Sequence, residues 1–250
     1  LLIRSLFFII ALTAFLFLTY KKNTINIIKK SGFPAIVAGL FLSLSFVAYV
    51  VAMSKTTVAN VVFIISTQTI FLALFGFLFL KEKITFKGLI AITLAFVGML
   101  VMVGDSINQG TLFGNIVAFA IPINFTILVM IIRKFPDLDM VPAIFYSGIF
   151  SGIYGLLLAS NLTFSSNDIL MGFLLGVPQL AFGFICVTIG TKTTKAVTVG
   201  LLMLLETIFA PIWVWIFLNE VPPISVFFGG AIIISAVILK SFDKSLKMGN

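Results

Sequence analysis

The chain has 250 residues, of which 61% are hydrophobic and 10% are charged, and its mean hydropathy is +1.25. A soluble domain cannot cover that much apolar surface, so the composition excludes one and predicts a polytopic membrane protein. The net charge of +8 does not indicate nucleic-acid binding, because the basic residues lie in short loops between apolar runs, where Lys and Arg set membrane orientation. We therefore expect contact with a lipid bilayer and no nucleic-acid partner.

The residue types also exclude most enzyme chemistry. The sequence contains no histidine, which rules out Ser-His hydrolysis and His-ligated metal sites. Its one cysteine, Cys186, lies within an apolar run and cannot form a disulfide within the chain. A glycine-rich phosphate loop would have to follow a strand, and the apolar runs are too long for strands. We therefore expect no enzyme activity, no cofactor and no bound metal ion.

Nine apolar runs follow one another along the chain. A helix needs about 20 apolar residues to cross a hydrocarbon layer of roughly 30 Å, and the runs are close to that length. The sequence therefore predicts an all-α membrane bundle of nine transmembrane helices. The predicted spans are 2–20, 33–53, 57–80, 84–103, 111–132, 140–160, 169–188, 196–217 and 222–239.

The loops between these spans divide the basic residues very unequally. Of the 16 basic residues, 14 lie in alternate loops on one side of the predicted bundle. The opposite loops carry only Lys55, and Arg4 lies at the start of the first span. The positive-inside rule makes the basic side cytoplasmic. We therefore expect a multi-pass protein of the cell (inner or plasma) membrane, with a cytoplasmic C-terminus and the first residue outside.

An internal repeat relates the two halves of the chain at an offset of 138 residues, the difference between positions 206 and 68. The tetrapeptide QTIF at 68–71 aligns with ETIF at 206–209, and LKE at 80–82 aligns with LNE at 218–220. The two copies fall in the third and eighth spans, five crossings apart, so they run in opposite directions. Such inverted repeats are typical of secondary transporters, whose substrate site lies near the membrane midplane.

Two stretches that contain this repeat resemble a known family. The sequence ETIFAPIWVWIFLNEVPP followed by GGAIIISAVILK resembles the end of the second half of EamA-type transporters of the drug/metabolite transporter superfamily. The sequence TQTIFLALFGFLFLKEKITFKGLIAITLAFVGMLVM resembles the matching part of the first half, and Arg4, Glu82 and Glu220 add to the resemblance. It implies ten helices in two inverted five-helix repeats around a central cavity, with both termini cytoplasmic. Gln68 and Ala73 depart from the pattern, which usually offers a small residue and proline there.

The nine predicted spans are one fewer than the resemblance implies. Five lie in the second half and four in the first, and an outside N-terminus is what a missing first helix would leave. We therefore interpret the chain as a ten-helix inverted-repeat bundle that lacks its first helix. The truncated first repeat of four helices is expected at 1–104, and the second repeat of five helices at 111–241.

Glu206 is the first candidate for a functional residue because it lies near the middle of a long apolar run. A charged side chain at the centre of a spanning helix costs roughly 2.5–3.5 kcal/mol, so such residues usually face a bundle interior or a watery cavity. We expect its carboxyl group to be partly neutral, because desolvation disfavours the charged form. It would then take up a proton on one side and release it on the other, with Gln68 as its non-titrating counterpart. The structural alternative is an acid that only hydrogen-bonds a neighbouring helix.

Other polar residues inside the spans complete the predicted substrate or coupling site. Asn60 and Gln68 share one helical face by their spacing, and Glu206 and Trp213 share another, and we expect these two faces to oppose each other. For each residue alone, an interhelical hydrogen bond of about 0.6 kcal/mol is a sufficient explanation. Beyond Glu206 and Gln68, the candidates are Asn60, Asn124, Gln179, Tyr49, Tyr146 and Trp213.

Two glycine pairs at a spacing of four residues indicate close helix packing rather than chemistry. Gly148 and Gly152 lie in the sixth span, and Gly172 and Gly176 lie in the seventh. Small residues at this spacing let two helix backbones approach closely in a membrane. We expect another helix to lie against each pair.

These features favour a secondary transporter that moves a small metabolite, amino acid or drug by alternating access. The resemblance favours export, and Glu206 makes proton coupling an option. Arg4 is the only cation near the predicted cavity, so neutral, zwitterionic or cationic solutes fit better than dianions. A homodimer is left open. The alternative is a channel or a non-transporting scaffold, although a channel needs a ring of like groups that one Glu and one Gln in a monomer do not make.

Overall fold

A computed structural model describes residues 1–103, 112–159, 162–219 and 223–242. Throughout these residues the regular secondary structure is helical and contains no β-strand, which confirms the predicted all-α fold class. The helices are α1 (Leu2–Tyr20), α2 (Thr24–Lys55), α3 (Val58–Ser66), α4 (Gln68–Leu80), α5 (Phe86–Val103), α6 (Leu112–Lys134), α7 (Val141–Leu157), α8 (Ser166–Leu174), α9 (Phe182–Thr191), α10 (Ala196–Met203), α11 (Leu205–Leu218) and α12 (Ile224–Ser241).

Apolar helices make up most of the described chain, and some of them are long enough to cross a bilayer. Four helical stretches in the described residues are long and apolar enough by composition, namely Leu2–Lys55, Asn60–Leu80, Leu112–Lys134 and Ser166–Thr191. The first of them contains two predicted spans. Shorter apolar helices are Phe86–Met102, Val141–Leu157, Ala196–Phe209 and Ile224–Lys240. The chain is therefore a multi-pass membrane protein in contact with lipid.

The predicted loop between the first two spans is itself helical. A short 3-10 helix, Lys21–Asn23, follows α1, and α2 begins immediately at Thr24. Within α2 the backbone bends at Gly32, which has φ 53° and ψ −151°. Glycine adopts such a positive φ without the steric cost that a Cβ atom brings. The bend separates residues 24–31 from the apolar part of α2 that corresponds to the second predicted span.

The described chain forms two compact units, and each unit combines residues from both halves of the sequence. The first unit comprises Leu1–Val50 and Ile127–Thr193. The second comprises Val51–Thr126 and Thr194–Asn250. The boundary in α6 falls within one helix, so that helix contributes to both units.

In the first unit, α1 packs closely against α7, against α8 and against the helical segment Leu175–Ala181 that follows α8. A Cβ atom on Gly148 would lie 2.8 Å from the Cγ1 atom of Ile9, and one on Gly176 would lie 2.6 Å from the carbonyl oxygen of Arg4. The hydroxyls of Ser5 and Ser151 share a hydrogen bond of 2.8 Å between α1 and α7. The prediction of close helix packing at the glycine pairs is therefore confirmed.

In the second unit, α5 and α12 form the closest helix pair and lie antiparallel. Gly88 lies beside Lys240, while ten residues later along α5 Gly98 lies beside Gly229. A Cβ atom on Gly98 would be 2.7 Å from the carbonyl oxygen of Gly229, so the two backbones touch. Buried residues of α4, α5, α10, α11 and α12 form the core around this crossing, including Ala95, Met99, Leu201, Leu204 and Ile233.

The same unit holds the repeated segments, and their helix boundaries agree at the offset of 138 residues found in the sequence. Helices α3, α4 and α5 span 58–66, 68–80 and 86–103, and helices α10, α11 and α12 span 196–203, 205–218 and 224–241. Lys81 and Asn219 end α4 and α11 in the same left-handed conformation, with φ 54° and φ 56°. Because α5 and α12 are corresponding helices that run antiparallel, the repeat is inverted, as predicted.

Candidate substrate and coupling site

Each copy of the repeat contains a break between two helices, and the aligned polar residue, Gln68 or Glu206, lies in the first turn after that break. The third predicted span is interrupted at Thr67 and the eighth at Leu204, both with shallow helical backbone angles. Gln68 is consequently the first residue of α4, and Glu206 lies in the first turn of α11. The first turn of a helix has N–H groups without intrahelical partners and a partial positive charge. It is therefore the part of an apolar helix that best tolerates a carboxylate.

Glu206 lies on the face of α11 that is turned away from the core of the second unit. Leu204 and Ile208 are 3% and 8% exposed and pack into that core. Glu206 is exposed, together with Phe209 and Trp213, which follow at spacings of three and seven residues. Among the described residues Glu206 makes no hydrogen bond and no ion pair. Its carboxyl group is therefore not covered by the core of the second unit.

Gln68 occupies the corresponding place in the first copy but has a different environment. It is 5% exposed and belongs to the buried face of α4. The next residue, Thr69, donates a hydrogen bond of 3.1 Å to the carbonyl oxygen of Gly200 on α10. Helix α4 thus packs on α10, whereas α11 and α3 form no comparable interface in the part of the chain that the structure describes. The predicted opposition of the Gln68 and Glu206 faces stays a prediction.

Asn60 belongs to a polar cluster at the N-terminal end of α3. Its side-chain amide nitrogen donates to the hydroxyl of Thr56 at 3.0 Å and to the Oδ1 atom of Asn115 at 3.2 Å. Thr56 also donates to that Asn115 oxygen at 2.7 Å. The sequence had not singled out Asn115. Asn115 lies close to the start of the fifth predicted span. Polar residues are common at span ends, so its residue type alone did not mark it as a site residue.

Glu82 is the repeated acid whose function the sequence left open. Its Oε2 atom accepts a hydrogen bond of 3.0 Å from the backbone N–H of Ala196, the first residue of α10. An acid in this position satisfies one of the N–H groups that a helix leaves free at its start. The acid that follows α4 in one copy therefore caps the first helix of the other copy. Its repeat partner, Glu220, lies outside the described residues.

The remaining predicted site residues are divided between the two units. In the first unit, Tyr49 and Gln179 are exposed and Tyr146 is half-buried. Gln179 lies in a π-helical segment, Leu175–Ala181, which joins α8 to α9. Such wide turns inside helices often occur at functional positions. In the second unit, Asn124 is half-buried in α6.

A small crevice in the second unit lies at the two helix breaks. It is lined by residues that include Ser66, Thr69 and Leu204, and it has essentially no room even for a water molecule. Ligand pockets usually measure roughly 300–1,000 Å³, so this crevice is too small for a metabolite. No cluster of three or more His, Cys, Asp or Glu side chains occurs in the described ranges.

The architecture defines a class of protein. A helical membrane bundle with an inverted repeat, interrupted beside a polar residue in each copy, has the construction found in secondary-transporter folds. The family follows from comparison with known sequences: the profile of the EamA-like transporter family matches residues 1–104 and 112–242. The chain belongs to the EamA-like transporter family, which confirms the resemblance first noticed around Gln68 and Glu206.

Two individual proteins illustrate this similarity. An uncharacterized transporter of Methanothermobacter thermautotrophicus is 28% identical over 209 residues, which cover 76% of this chain. This chain spans 59% of the length of that relative. A protein with a solved crystal structure superimposes with a TM-score of 0.83 at 15% sequence identity, covering 96% of this chain and 86% of the other. At that identity the second similarity supports the fold.

Proposed function

We propose that this protein is a secondary transporter that moves a small metabolite, amino acid or drug across the membrane by alternating access. The observation that carries the proposal is the inverted repeat of α3–α5 and α10–α12, with a helix break beside a polar residue in each copy. In transporters with inverted repeats, interrupted helices form the substrate and ion sites near the midplane. Export is the direction that we propose.

Counterflow in proteoliposomes tests this proposal against a channel. Vesicles are loaded with an unlabelled solute and placed in a trace of the labelled form. A carrier accumulates label transiently because it exchanges one molecule for another, whereas a channel only equilibrates the label. We expect counterflow for at least one member of a panel of amino acids, amines and neutral drugs. Equilibration without overshoot for a permeant solute would favour the channel, and no permeation of any panel member would favour a scaffold.

Within this transporter we propose that Glu206 couples proton or cation binding to solute movement. Its carboxyl group is exposed on α11, in the first turn of that helix, and makes no hydrogen bond within the described chain. A carboxyl group in this situation is accessible to a proton and is not already committed to a structural partner. The rival is facilitated diffusion, with Glu206 orienting a substrate amine and moving no proton.

We further propose that the protein lies in the inner or plasma membrane with its C-terminus in the cytoplasm. This orientation rests on 14 of the 16 basic residues. Reporter fusions after residue 30, within 133–139 and at the C-terminus should give cytoplasmic signals. A cytoplasmic signal from a fusion within 161–168 would contradict the topology without bearing on the carrier mechanism.

A further inference from the structure

Arg4 is a cation inside the first unit that the described structure leaves without a hydrogen-bonding partner. It lies in the first turns of α1 and is only partly exposed. Its Nε and Nη2 atoms are buried and have no hydrogen-bond acceptor among the described residues. An arginine carries five N–H donors and stays charged, so leaving them unsatisfied in an apolar surrounding is costly. Such a residue in a membrane span marks a functional site by default.

The surroundings of Arg4 hold it in place without neutralising it. The guanidinium carbon lies over the ring of Phe46 on α2, 5.5 Å from the ring centre. Phe46 is itself fixed by edge-to-face contacts with Phe8 and Phe184, at 5.8 Å and 5.4 Å between ring centres. An aromatic face compensates part of the charge but offers no lone pair to the N–H groups. The guanidinium group of Arg4 is therefore held against a fixed aromatic ring, while its Nε and Nη2 donors have no hydrogen-bond acceptor among the described residues.

The backbone beneath the side chain is equally constrained. The carbonyl oxygen of Arg4 lies so close to Gly176 that a Cβ atom there would come within 2.6 Å of it. The neighbouring residue, Ser5, shares its hydroxyl hydrogen bond with Ser151 on α7. Arg4 thus has a fixed Cα position and a preorganised side chain, which is what a binding residue needs in order to lose little entropy when its ligand arrives.

The carboxylates of the first unit that the structure describes in hydrogen bonds are engaged elsewhere. Asp139 accepts from the hydroxyl of Tyr20 and from the backbone N–H of Val141. Asp168 accepts from the hydroxyl and N–H of Ser165 in a capping box at the start of α8. Neither compensates Arg4, and its buried Nε and Nη2 donors have no acceptor among the described residues.

We propose that Arg4 binds a single carboxylate group of the transported solute, with Tyr49 as the neighbouring hydroxyl. A guanidinium matches a carboxylate with two parallel hydrogen bonds, which a point charge such as Lys cannot do. Tyr49 is on the same helix as Phe46, about one turn further along, and so follows the aromatic residue that lies under the guanidinium group. One cation compensates one negative charge, which favours monocarboxylates and zwitterions over dianions. This inference rests on the proposed transport function and narrows its substrate class.

The test compares solutes that differ only in the carboxylate. Binding to the purified protein is followed by thermal shift with L-leucine, L-phenylalanine and L-threonine, each against its amide. We expect at least one of the acids to stabilise the wild type more than its amide does. Arg4→Gln should remove this difference, and Arg4→Lys should weaken the apparent affinity by about tenfold to a hundredfold, because it keeps the charge but loses the paired geometry. Tyr49→Phe should have a smaller effect in the same direction.

Lys55→Gln is the matched control, since it removes another positive charge without touching Arg4 and should leave the preference for the acid unchanged. The variants are compared only where their unliganded unfolding midpoint shows a folded protein, and Arg4→Lys serves if Arg4→Gln does not fold. The proposal is wrong if no acid is preferred over its amide, or if the preference survives in Arg4→Gln.

Counterflow separates this inference from the transport proposal. If an acid undergoes counterflow at wild-type rates in Arg4→Gln, the protein is a carrier and the assignment of Arg4 is wrong. If acids bind in an Arg4-dependent manner but none undergoes counterflow or accumulates, Arg4 is a carboxylate site and the transport proposal fails.

Discussion

The two copies of the repeated three-helix segment, α3–α5 and α10–α12, have the same backbone pattern. They differ in the polar side chain that follows the helix break. Both copies start after an extended residue, break once, end in a left-handed residue and continue into a helix of 18 residues. Yet the first copy carries a buried amide, Gln68, and the second an exposed acid, Glu206. The duplicated backbone therefore supplies the architecture, while the side chain at this position makes the two copies chemically different.

The difference in environment has a packing cause. In the first copy, α4 lies against α10 with Thr69 in contact with Gly200, and both Gln68 and Thr69 are buried residues of α4. Position 62, which corresponds to Gly200, is a valine, so the first copy lacks the small residue on which α11 would have to pack. An acid is thus tolerated only in the second copy, where its side chain is accessible.

The largest effect on stability is expected when the buried amide Gln68 is replaced by an acid. Gln68→Glu places a carboxyl group in a position that is 5% exposed. We expect a loss of roughly 2.5–3.5 kcal/mol in the free energy of unfolding, the cost of a charged side chain inside a membrane helix. SDS-induced unfolding measures it. The converse change, Glu206→Gln, should leave stability nearly unchanged, and equal losses in both variants would contradict the assigned environments.

The crossing of α5 and α12, which unites the two copies, should be the next most sensitive point. Gly98→Ala brings a methyl group against the backbone oxygen of Gly229, which cannot move aside as a side chain can. Overpacking of this kind costs typically about 1–3 kcal/mol. Gly183→Ala in α9 is the control, because nothing lies within 4 Å of the added atom. SDS-induced unfolding that shows the same loss for both would mean that the crossing is not tightly packed.

Loss of the Glu82 cap should destabilise the start of α10 by a smaller amount. Glu82→Ala removes the acceptor for the N–H group of Ala196, and loss of an N-terminal cap costs roughly 0.5–2 kcal/mol. Glu82→Gln keeps an oxygen in place and should retain part of this stability. The same unfolding assay, supported by faster hydrogen exchange at 196–199 in the alanine variant, provides the measurement. Unchanged exchange in Glu82→Ala would show that another group caps the helix.

The smallest effect is expected at the threonine that follows each polar residue. Thr69→Val removes a hydrogen bond between α4 and α10 and should cost about 0.6 kcal/mol, the average for such bonds in membranes. Thr207→Val is the matched control, because Thr207 donates to the carbonyl oxygen of Leu204 in its own helix. A difference between the two unfolding free energies supports the asymmetric packing, whereas identical values would argue against it.

The fold was largely predictable from the sequence, because hydropathy indicates the membrane-spanning helices and the repeat indicates how the two halves correspond. The third predicted span, 57–80, became α3 and α4, and an offset read from two short motifs holds for six helices. Local backbone features were not predictable in the same way. The breaks at Thr67 and Leu204, the bend at Gly32 and the wide turn at 175–181 all occur within apolar sequence, where hydropathy is insensitive to a change of one hydrogen bond.

The candidate site was predictable in its residue types and not in its contacts. A lone acid in an apolar run identified Glu206, and the repeat identified Gln68. Which of them is buried depends on whether α4 or α11 meets a glycine on a helix distant in sequence. The cap formed by Glu82 on Ala196 likewise joins residues 114 positions apart. Such pairings follow from tertiary packing. The local pattern of a single sequence does not specify which distant residues come into contact.

The central claim, that the acid in the second copy couples solute movement to a proton or cation, is tested most directly by Glu206→Gln in proteoliposomes. For the solute that shows counterflow, accumulation driven by a pH gradient is compared with equilibrium exchange in the same vesicles, and Glu82→Gln serves as the control for loss of an acid. The account predicts that the variant loses accumulation and keeps exchange, because a glutamine binds the solute but carries no proton. Accumulation and exchange that both persist at wild-type rates in the folded variant would contradict it and make Glu206 a structural acid.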